Sequence, residues 1–382
     1  MPFWQREVLR DAVAMTFNQT YELDLPKSGH LGSLGLYISS VANAAALTSL
    51  LRWRLFEYIS KIEVIGDGAE IIKSYDGRQA VACAFFDDRI EPTGKWGNYN
   101  GVTHRQLIPI HFGRHFYDEL YGLDLSRFNQ VTLKITNDAT ATQFTTAINV
   151  TVVAFWVREA TNPFLGYYRE EEWKLWAPAN TVVEYSTLPT ALPIRRILLR
   201  ARPAVDDSPV NQNLNTITSQ MSTIDFTKRS GQTRVYRGSL EVLGWLSTSE
   251  LQLLQETAGE AWPANDNHVN VDIGYVTAAV WAASAVDDPT ATYPGTVFRA
   301  DTQLGSQRNW NVATTSPGEF RARGWGYMYQ VPLFMSRKPD MSDMMDPNAD
   351  RDVQLDITCT SGTVAGNARN AESGIILSRL VR

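Results

Sequence analysis

Along most of the chain apolar residues fall on every second position, the period of a strand with one face turned to a core. Tyr21, Leu23 and Leu25 alternate with polar neighbours, as do Leu34, Leu36 and Ile38. The alternation returns at Val131, Leu133 and Ile135, and again at Ile148, Val150, Val152 and Ala154, where β-branched and aromatic neighbours favour a strand. Turn-forming clusters separate these runs: Gly66-Asp67-Gly68, Thr136-Asn137-Asp138 and Thr161-Asn162-Pro163. Two stretches depart from period two. At the N-terminus Trp4, Val8, Leu9, Ala12 and Met15 have helical spacing, Gln5, Arg6, Arg10 and Asp11 take the other side, and Pro2 suits a first turn. The pattern predicts an amphipathic helix over residues 1–17, whose stripe fits packing on its own domain or docking on a partner or lipid surface. A second helix is predicted over residues 247–256, because Ser247 and Glu250 form a capping box ahead of Leu251, Leu253 and Leu254.

The pattern also repeats at long range. Residues 107–135 contain an apolar-Pro-apolar strand (Leu107 to Ile110), a loop of about twenty residues and an alternating strand, and residues 331–357 contain the same parts in the same order. Ile108 matches Val331 and Val131 matches Val353, nearly without a gap. Each copy then closes on another β run, 148–158 in the first and 375–382 in the second. The strand, Gly-containing turn and strand of residues 61–77 resemble residues 223–239. Ile62 matches Ile224 at an offset of 162, whereas Ile108 matches Val331 at 223, so 61 residues are inserted in the second copy.

A segment with three prolines, residues 176–193, marks the boundary between copies. The expected organisation is a helix over 1–17, a first domain over 18–178, a linker over 179–192 and a second domain over 193–382. The insertion falls at about 244–326 and holds the capped helix, the strand-like Val269, Val271 and Ile273, and the polar run from Asp301 to Gly324. A connection of that length is expected to project into solvent, because a buried irregular loop strands its backbone polar groups. Two tandem units of about eight short strands with long connections predict an all-β protein of two jelly-roll β-sandwiches.

Composition narrows the function. The 382 residues carry 35 Lys and Arg against 41 Asp and Glu, a net charge of −6, which disfavours a protein whose main task is gripping nucleic acid. Aromatic content of 11% fits packed β-structure and extensive interfaces. Cys83 and Cys359 lie too far apart in sequence for a disulfide framework or a thiolate cluster. The run MPFWQREVLRDAV carries acids and bases where a signal peptide needs an apolar stretch, and no window reaches 18 consecutive apolar residues.

Candidate chemistry is sparse. His111 and His115 have the i, i+4 spacing of helical metal ligands, but Pro109 and Gly113 place them on strand and loop, where they need not converge. Residues 346–352, DPNADRD, alternate oxygen side chains as a calcium loop does, without its sixth-position glycine and twelfth-position glutamate. Asp87 with Asp88, and Asp206 with Asp207, read as solvated turns, since adjacent acids on a strand face opposite ways. Arg195, Arg196, Arg200 and Arg202 read as the outer face of a strand, or as partners for acids on a neighbouring subunit. No P-loop, dinucleotide fingerprint or nucleophile elbow occurs, so no catalytic residue, cofactor or metal is assigned.

The tandem pattern resembles the double jelly-roll major capsid proteins of tailless icosahedral DNA viruses, of the corticovirus and tectivirus kind. The residues that carry the resemblance are IPIHFGRH and FNQVTLKI in the first half, and VPLFMSRKP and RDVQLDI in the second. It implies a structural protein rather than an enzyme: three copies form a pseudo-hexagonal capsomer, and capsomers tile a shell. The implied partners are further copies of the chain, minor capsid, penton or spike proteins, and an internal lipid membrane, with no sequence-specific nucleic-acid contact. The implied location is the virion, after assembly in the host cytoplasm. By the same resemblance the N-terminal helix lies beneath the capsomer, with Phe3, Trp4, Val8 and Leu9 facing lipid or a minor capsid protein, and the insertion forms an outward tower. Two other readings stay open. A receptor- or carbohydrate-binding β-sandwich would stack sugars on Trp262, Trp281 or Trp310, and a β-sandwich glycosidase would need two carboxylates in one cleft.

Overall fold

The computed structural model of the chain describes residues 3–41, 55–90, 103–159, 164–179, 181–202, 218, 220–251, 255–257, 261–262, 275–283, 298–299, 318–327, 330–335, 344–346, 349–360 and 372–382. The first copy of the repeat begins with strands β1 (Phe3–Met15), β2 (Thr20–Asp24) and β3 (His30–Val41). The hairpin β4 (Ile59–Gly66) and β5 (Glu70–Tyr75) follows, then helix α1 (Gly77–Asp88) and strand β6 (Thr103–His111). A short β7 (Leu123–Asp124) precedes β8 (Val131–Asn137) and β9 (Ile148–Arg158). These strands are ordered β1-β9-β3-β6 in one sheet and β2-β8-β4-β5 in another, which continues beyond β5.

The second copy runs through the same parts. It has β10 (Tyr167–Trp176), β11 (Val183–Thr187), β12 (Ile194–Arg202), the hairpin β13 (Met221–Lys228) and β14 (Thr233–Ser239), and helix α2 (Leu240–Leu251). The insertion contributes β15 (Gln255–Thr257), β16 (Ala261–Trp262), β17 (Tyr275–Ala283), β18 (Phe298–Arg299) and β19 (Gly318–Trp325), a sheet of its own. The copy then closes with β20 (Gln330–Phe334), β21 (Gln354–Cys359) and β22 (Glu372–Val381). Its sheet orders are β10-β22-β12-β20 and β11-β21-β13-β14, the first copy's orders strand for strand. The pairs matched in sequence therefore occupy equivalent places: β6 with β20, β8 with β21, β9 with β22, and the β4–β5 hairpin with β13–β14.

Contacts divide the chain into two units. Unit 1 holds Met1–Trp173 with Leu192–Arg196 and Ile376–Arg382, and unit 2 holds Lys174–Ala191 with Ile197–Ile375. In unit 1 the inward-pointing Leu34, Leu36 and Ile38 of β3, Leu133 and Ile135 of β8, and Ile148, Val150 and Val152 of β9 are fully buried. Each such side chain contributes about 1.5–3 kcal/mol of burial, which is why the period-two pattern fixes which face is inside. In unit 2 Ile224, Phe226, Leu355 and Ile357 do the same.

Two predicted helices need correction, and a third helix was not predicted. Residues 3–15 form β1, an antiparallel strand against β9, and not a helix. Its register slips between Val8 and Arg10 and again between Arg10 and Val13, with Ala12 at φ 47°. These two bulges insert residues into the alternation, so the half-buried positions are Trp4, Leu9 and Val13, a spacing that imitates a helix. The second expected helix starts earlier, at Leu240: the Ser239 hydroxyl accepts from the Val242 N–H at 3.2 Å, while Ser247 lies inside the helix and donates to the Pro332 carbonyl. Helix α1 went unread because GRQAVACAFF is apolar on every side and buried throughout, which leaves no helical period to find. Its cap is nonetheless written in the sequence: Asp76 accepts from the Gln79 N–H at 2.7 Å while the Gln79 side chain accepts from the Asp76 N–H at 2.8 Å. Gly77 is required there, since a Cβ would stand 2.1 Å from the Phe56 carbonyl oxygen.

The arginine cluster is also placed differently from its reading as an outer face. Within unit 1 Arg195 and Arg196 are buried against α1 and β10. Arg196 bridges Asp87 and Glu170, both at 2.7 Å, Lys73 pairs with Glu170 at 2.9 Å, and Arg195 lies 2.8 Å from Asp87 with its guanidinium over the Tyr168 ring. Arg200, in unit 2, pairs with Glu372. Asp87 is thus a buried counter-ion and not a solvated turn. Burial by itself would push the Glu170 carboxyl up, but Lys73 and Arg196 attract its charged form more strongly and hold it below the ordinary carboxylate range. A depressed pKa means stability that is present at neutral pH and fades as pH falls below the unfolded value of about 4.3. Glu170→Gln is expected to cost about 3–5 kcal/mol at pH 7, because it takes the buried counter-ion from Lys73 and leaves Arg196 with Asp87 alone, and to flatten the acid limb of a plot of urea midpoint against pH. An unchanged midpoint at pH 7 would contradict this role.

Candidate functional site

The N-terminal residues singled out from sequence separate by burial. Phe3 is 49% and Val8 55% exposed, whereas Trp4 and Leu9 are half-buried on β1. Trp4 meets Tyr117 edge to face at 5.1 Å, and it lies so close over Gly32 that a Cβ there would stand 2.5 Å from the ring. Tyr117 and Leu120 of the 112–121 loop are exposed, as is Leu165, whose N–H donates to the Leu120 carbonyl. The packing of Trp4 on the 112–121 loop is what draws β1 against it.

His111 and His115 do not converge. His115 is exposed, while His111 is buried at the end of β6, its Nδ1 3.0 Å from Ser33 Oγ and its Nε2 2.9 Å from Asp88 Oδ2. This is a Ser-His-Asp constellation that sequence reasoning missed, because its members come from β3, β6 and the end of α1 and share no local motif. Ser33 is wholly buried, so no substrate reaches its hydroxyl, and the constellation acts as a fastener instead. Asp88 also accepts from the Phe116 N–H at 3.0 Å, tying the C-terminal end of α1 to the 112–121 loop. Burial would raise the Asp88 carboxyl, but the His111 hydrogen bond and charge hold it below its ordinary value.

The acidic run in the second copy is occupied by cations and hydroxyls. Asp350 pairs with Lys228 at 2.8 Å and Asp352 accepts from Ser230 Oγ at 2.7 Å, so the alternating oxygens brace a turn against the β13–β14 hairpin. Among the described residues no group of three or more His, Cys, Asp or Glu is placed to hold a metal ion. Both cysteines are free and buried, and burial pushes each thiol up, away from reactivity. An open pocket of about 340 Å³ in unit 2 is lined by Phe334, Met335, Met344, Met345 and Val235 around the Lys228–Asp350 pair. Asp206, Asp207 and Trp310 lie outside the described residues, as does the stretch with Val269, Val271 and Ile273, and the side chains of Trp262 and Trp281 are likewise not described. No helix among the described residues is long and apolar enough to cross a membrane.

What distinguishes the surface is instead its strand edges. Among the described residues β1 ends one sheet and β14 another; β1 is largely exposed and β14 half-buried to exposed, whereas their counterparts β10 and β5 pair with each other in parallel through Glu170–Lys73 and Glu171–Ser74.

No protein-family model matches the chain and no curated protein matches it. Solved structures do. The major capsid protein of STIV, Sulfolobus Turreted Icosahedral Virus, superimposes with a TM-score of 0.58 at 9% identity, over 99% of this chain and 97% of its own. The PBCV-1 virus capsid gives 0.56 at 10% identity, over 100% and 94%. The major capsid protein of bacteriophage PM2 gives 0.51 at 10% identity, over 100% and 98%. The chain therefore has, from end to end, the double jelly-roll fold of viral major capsid proteins.

Proposed function

We propose that the chain is the major structural subunit of an icosahedral viral shell, working by assembly and not by catalysis. The observation that carries this reading is the duplicated strand order, shared over the full length with capsid proteins. Three copies associate so that six jelly rolls make a pseudo-hexagonal capsomer, and capsomers tile the virion shell. Minor capsid, penton or spike proteins are the further partners, and assembly takes place in the host cytoplasm. The projecting insertion serves as an outward tower. A chain of net charge −6 with buried basic clusters suits contact with copies of itself better than contact with a genome.

Of the four N-terminal residues assigned to the capsomer base, Phe3 and Val8 are the exposed ones, and Tyr117, Leu120 and Leu165 add further exposed apolar side chains in unit 1. These side chains face an internal membrane, inserting apolar tips at the headgroup boundary. Flotation with anionic vesicles is expected to carry the wild-type protein upward and to leave a Phe3→Ser, Leu120→Ser, Leu165→Ser variant behind. Equal flotation of the two would contradict the base assignment.

For the shell role, light scattering is expected to give three times the 42.8 kDa chain mass, and electron microscopy a six-lobed outline. A monomer at every concentration, or a monomer that binds glycans, would overturn it.

A further inference from the structure

Methionine is concentrated at one place in the chain. Four of its eight methionines fall within residues 335–345, whereas the matching stretch of the first copy, residues 108–131, has none. Three of the four, Met335, Met344 and Met345, are described, and all three line the open pocket of about 340 Å³ in unit 2. Met335 directly follows β20, and Met344 and Met345 precede the turn in which the Asp350 N–H donates to the Asp346 carbonyl. By the match of Ile108 with Val331 and of Pro109 with Pro332, Met335 is the counterpart of Phe112. Phe112 is a fully buried aromatic filler, while Met335 and Met344 are half-buried on the pocket and only Met345 is buried. The fold can thus close this corner without methionine, and the second copy instead gathers flexible thioethers around open space.

A thioether sulfur is a soft, polarisable donor with no proton to lose. It is a poor ligand for hard ions such as Mg²⁺ and Ca²⁺ and a good one for soft monovalent ions such as Cu⁺ and its redox-inert analogue Ag⁺. Each methionine turns about three side-chain bonds, so sulfurs that line one pocket close on an ion without moving the backbone. The rest of the wall agrees with that choice. Phe334 supplies an aromatic ring, which attracts a cation. The carboxylate of the wall, Asp350, is already engaged by Lys228 at 2.8 Å and by Arg229 at 3.7 Å, so a hard ion would have to break an ion pair to use it.

We propose that Met335, Met344 and Met345 form a binding site for one soft monovalent cation of the Cu⁺ and Ag⁺ class, held by their three sulfurs beside Phe334. The ion ties the end of β20 to the turn that Lys228 and Ser230 brace against the β13–β14 hairpin, and so stiffens that corner of unit 2. Since no ligand carries a titratable proton, affinity is about the same at pH 6 and pH 8, unlike that of a site built on histidine or cysteine. The site does not rest on the shell reading.

The probe is Ag⁺, added as the nitrate in chloride-free buffer to the full chain labelled with ¹³C at its methionine methyl groups. One equivalent is expected to shift the signals of Met335, Met344 and Met345, assigned through the single variants Met335→Leu, Met344→Leu and Met345→Leu, and to leave those of the buried Met15 and Met221 in place. Each variant keeps volume and apolarity, so far-UV circular dichroism is expected to be unchanged. Each is expected to weaken Ag⁺ binding by about tenfold or more, since losing even an outer partner of a metal ligand costs that much. A large excess of Mg²⁺ or Ca²⁺ is expected to move none of the signals. Binding that survives in the variant with all three substitutions, as it would if Cys83 or Cys359 took the ion, would overturn the site. So would a shift confined to one of the three methionines, or an affinity that rises steeply from pH 6 to pH 8. None of these results touches the shell reading, which stands on the strand order.

Discussion

The rest of the structure depends on how a strand edge is disposed of. An edge presents a row of unpaired N–H and C=O groups, and a jelly roll that does not close on itself has such edges to cover. In unit 1 the edge of β5 is covered by β10, and the joint is made specific by buried charge: Lys73, Arg195 and Arg196 against Glu170 and Asp87. Such a cluster adds little net stability compared with apolar packing of the same volume, yet it tolerates no other partner, since a shifted register would leave a charge buried and alone. This fixes which strand meets which.

The same constraint explains why the copies differ. Where a neighbour from within the chain is always present, the helix beyond the hairpin is buried on all sides and the joint is ionic. At the second position α2 keeps an exposed apolar face, and Tyr236 stands opposite Phe226 where Lys73 stands opposite Val64. The insertion enters between α2 and β20, the counterpart of the connection between α1 and β6, so it lengthens one loop without touching the strand order of either sheet.

Much of this architecture could be read from the sequence. Period-two runs such as Leu34, Leu36 and Ile38 carry their own burial pattern, and the matches of Ile108 with Val331 and Ile62 with Ile224 located the duplication because equivalent core strands keep equivalent apolar residues. What sequence could not show had physical causes. The two bulges in β1 disguised a strand as an amphipathic helix, and uniform apolarity hid α1. Arg195 and Arg196 looked solvent-facing because their counter-ions, Asp87 and Glu170, are remote in sequence. The Ser33, His111 and Asp88 fastener was invisible for the same reason. The exposed face of α2 stands out only when its buried first-copy counterpart α1 is laid beside it, a comparison of burial that residue type alone does not contain.

The joint between β5 and β10 is the element on which unit 1 turns. The most direct measurement is amide hydrogen exchange compared between the wild-type protein and Glu170→Gln at pH 7. Residues 70–75 of β5 and 167–173 of β10 are expected to lose protection together in the variant, while β3 and β9 keep theirs. Unchanged protection at β5 and β10 would contradict the account.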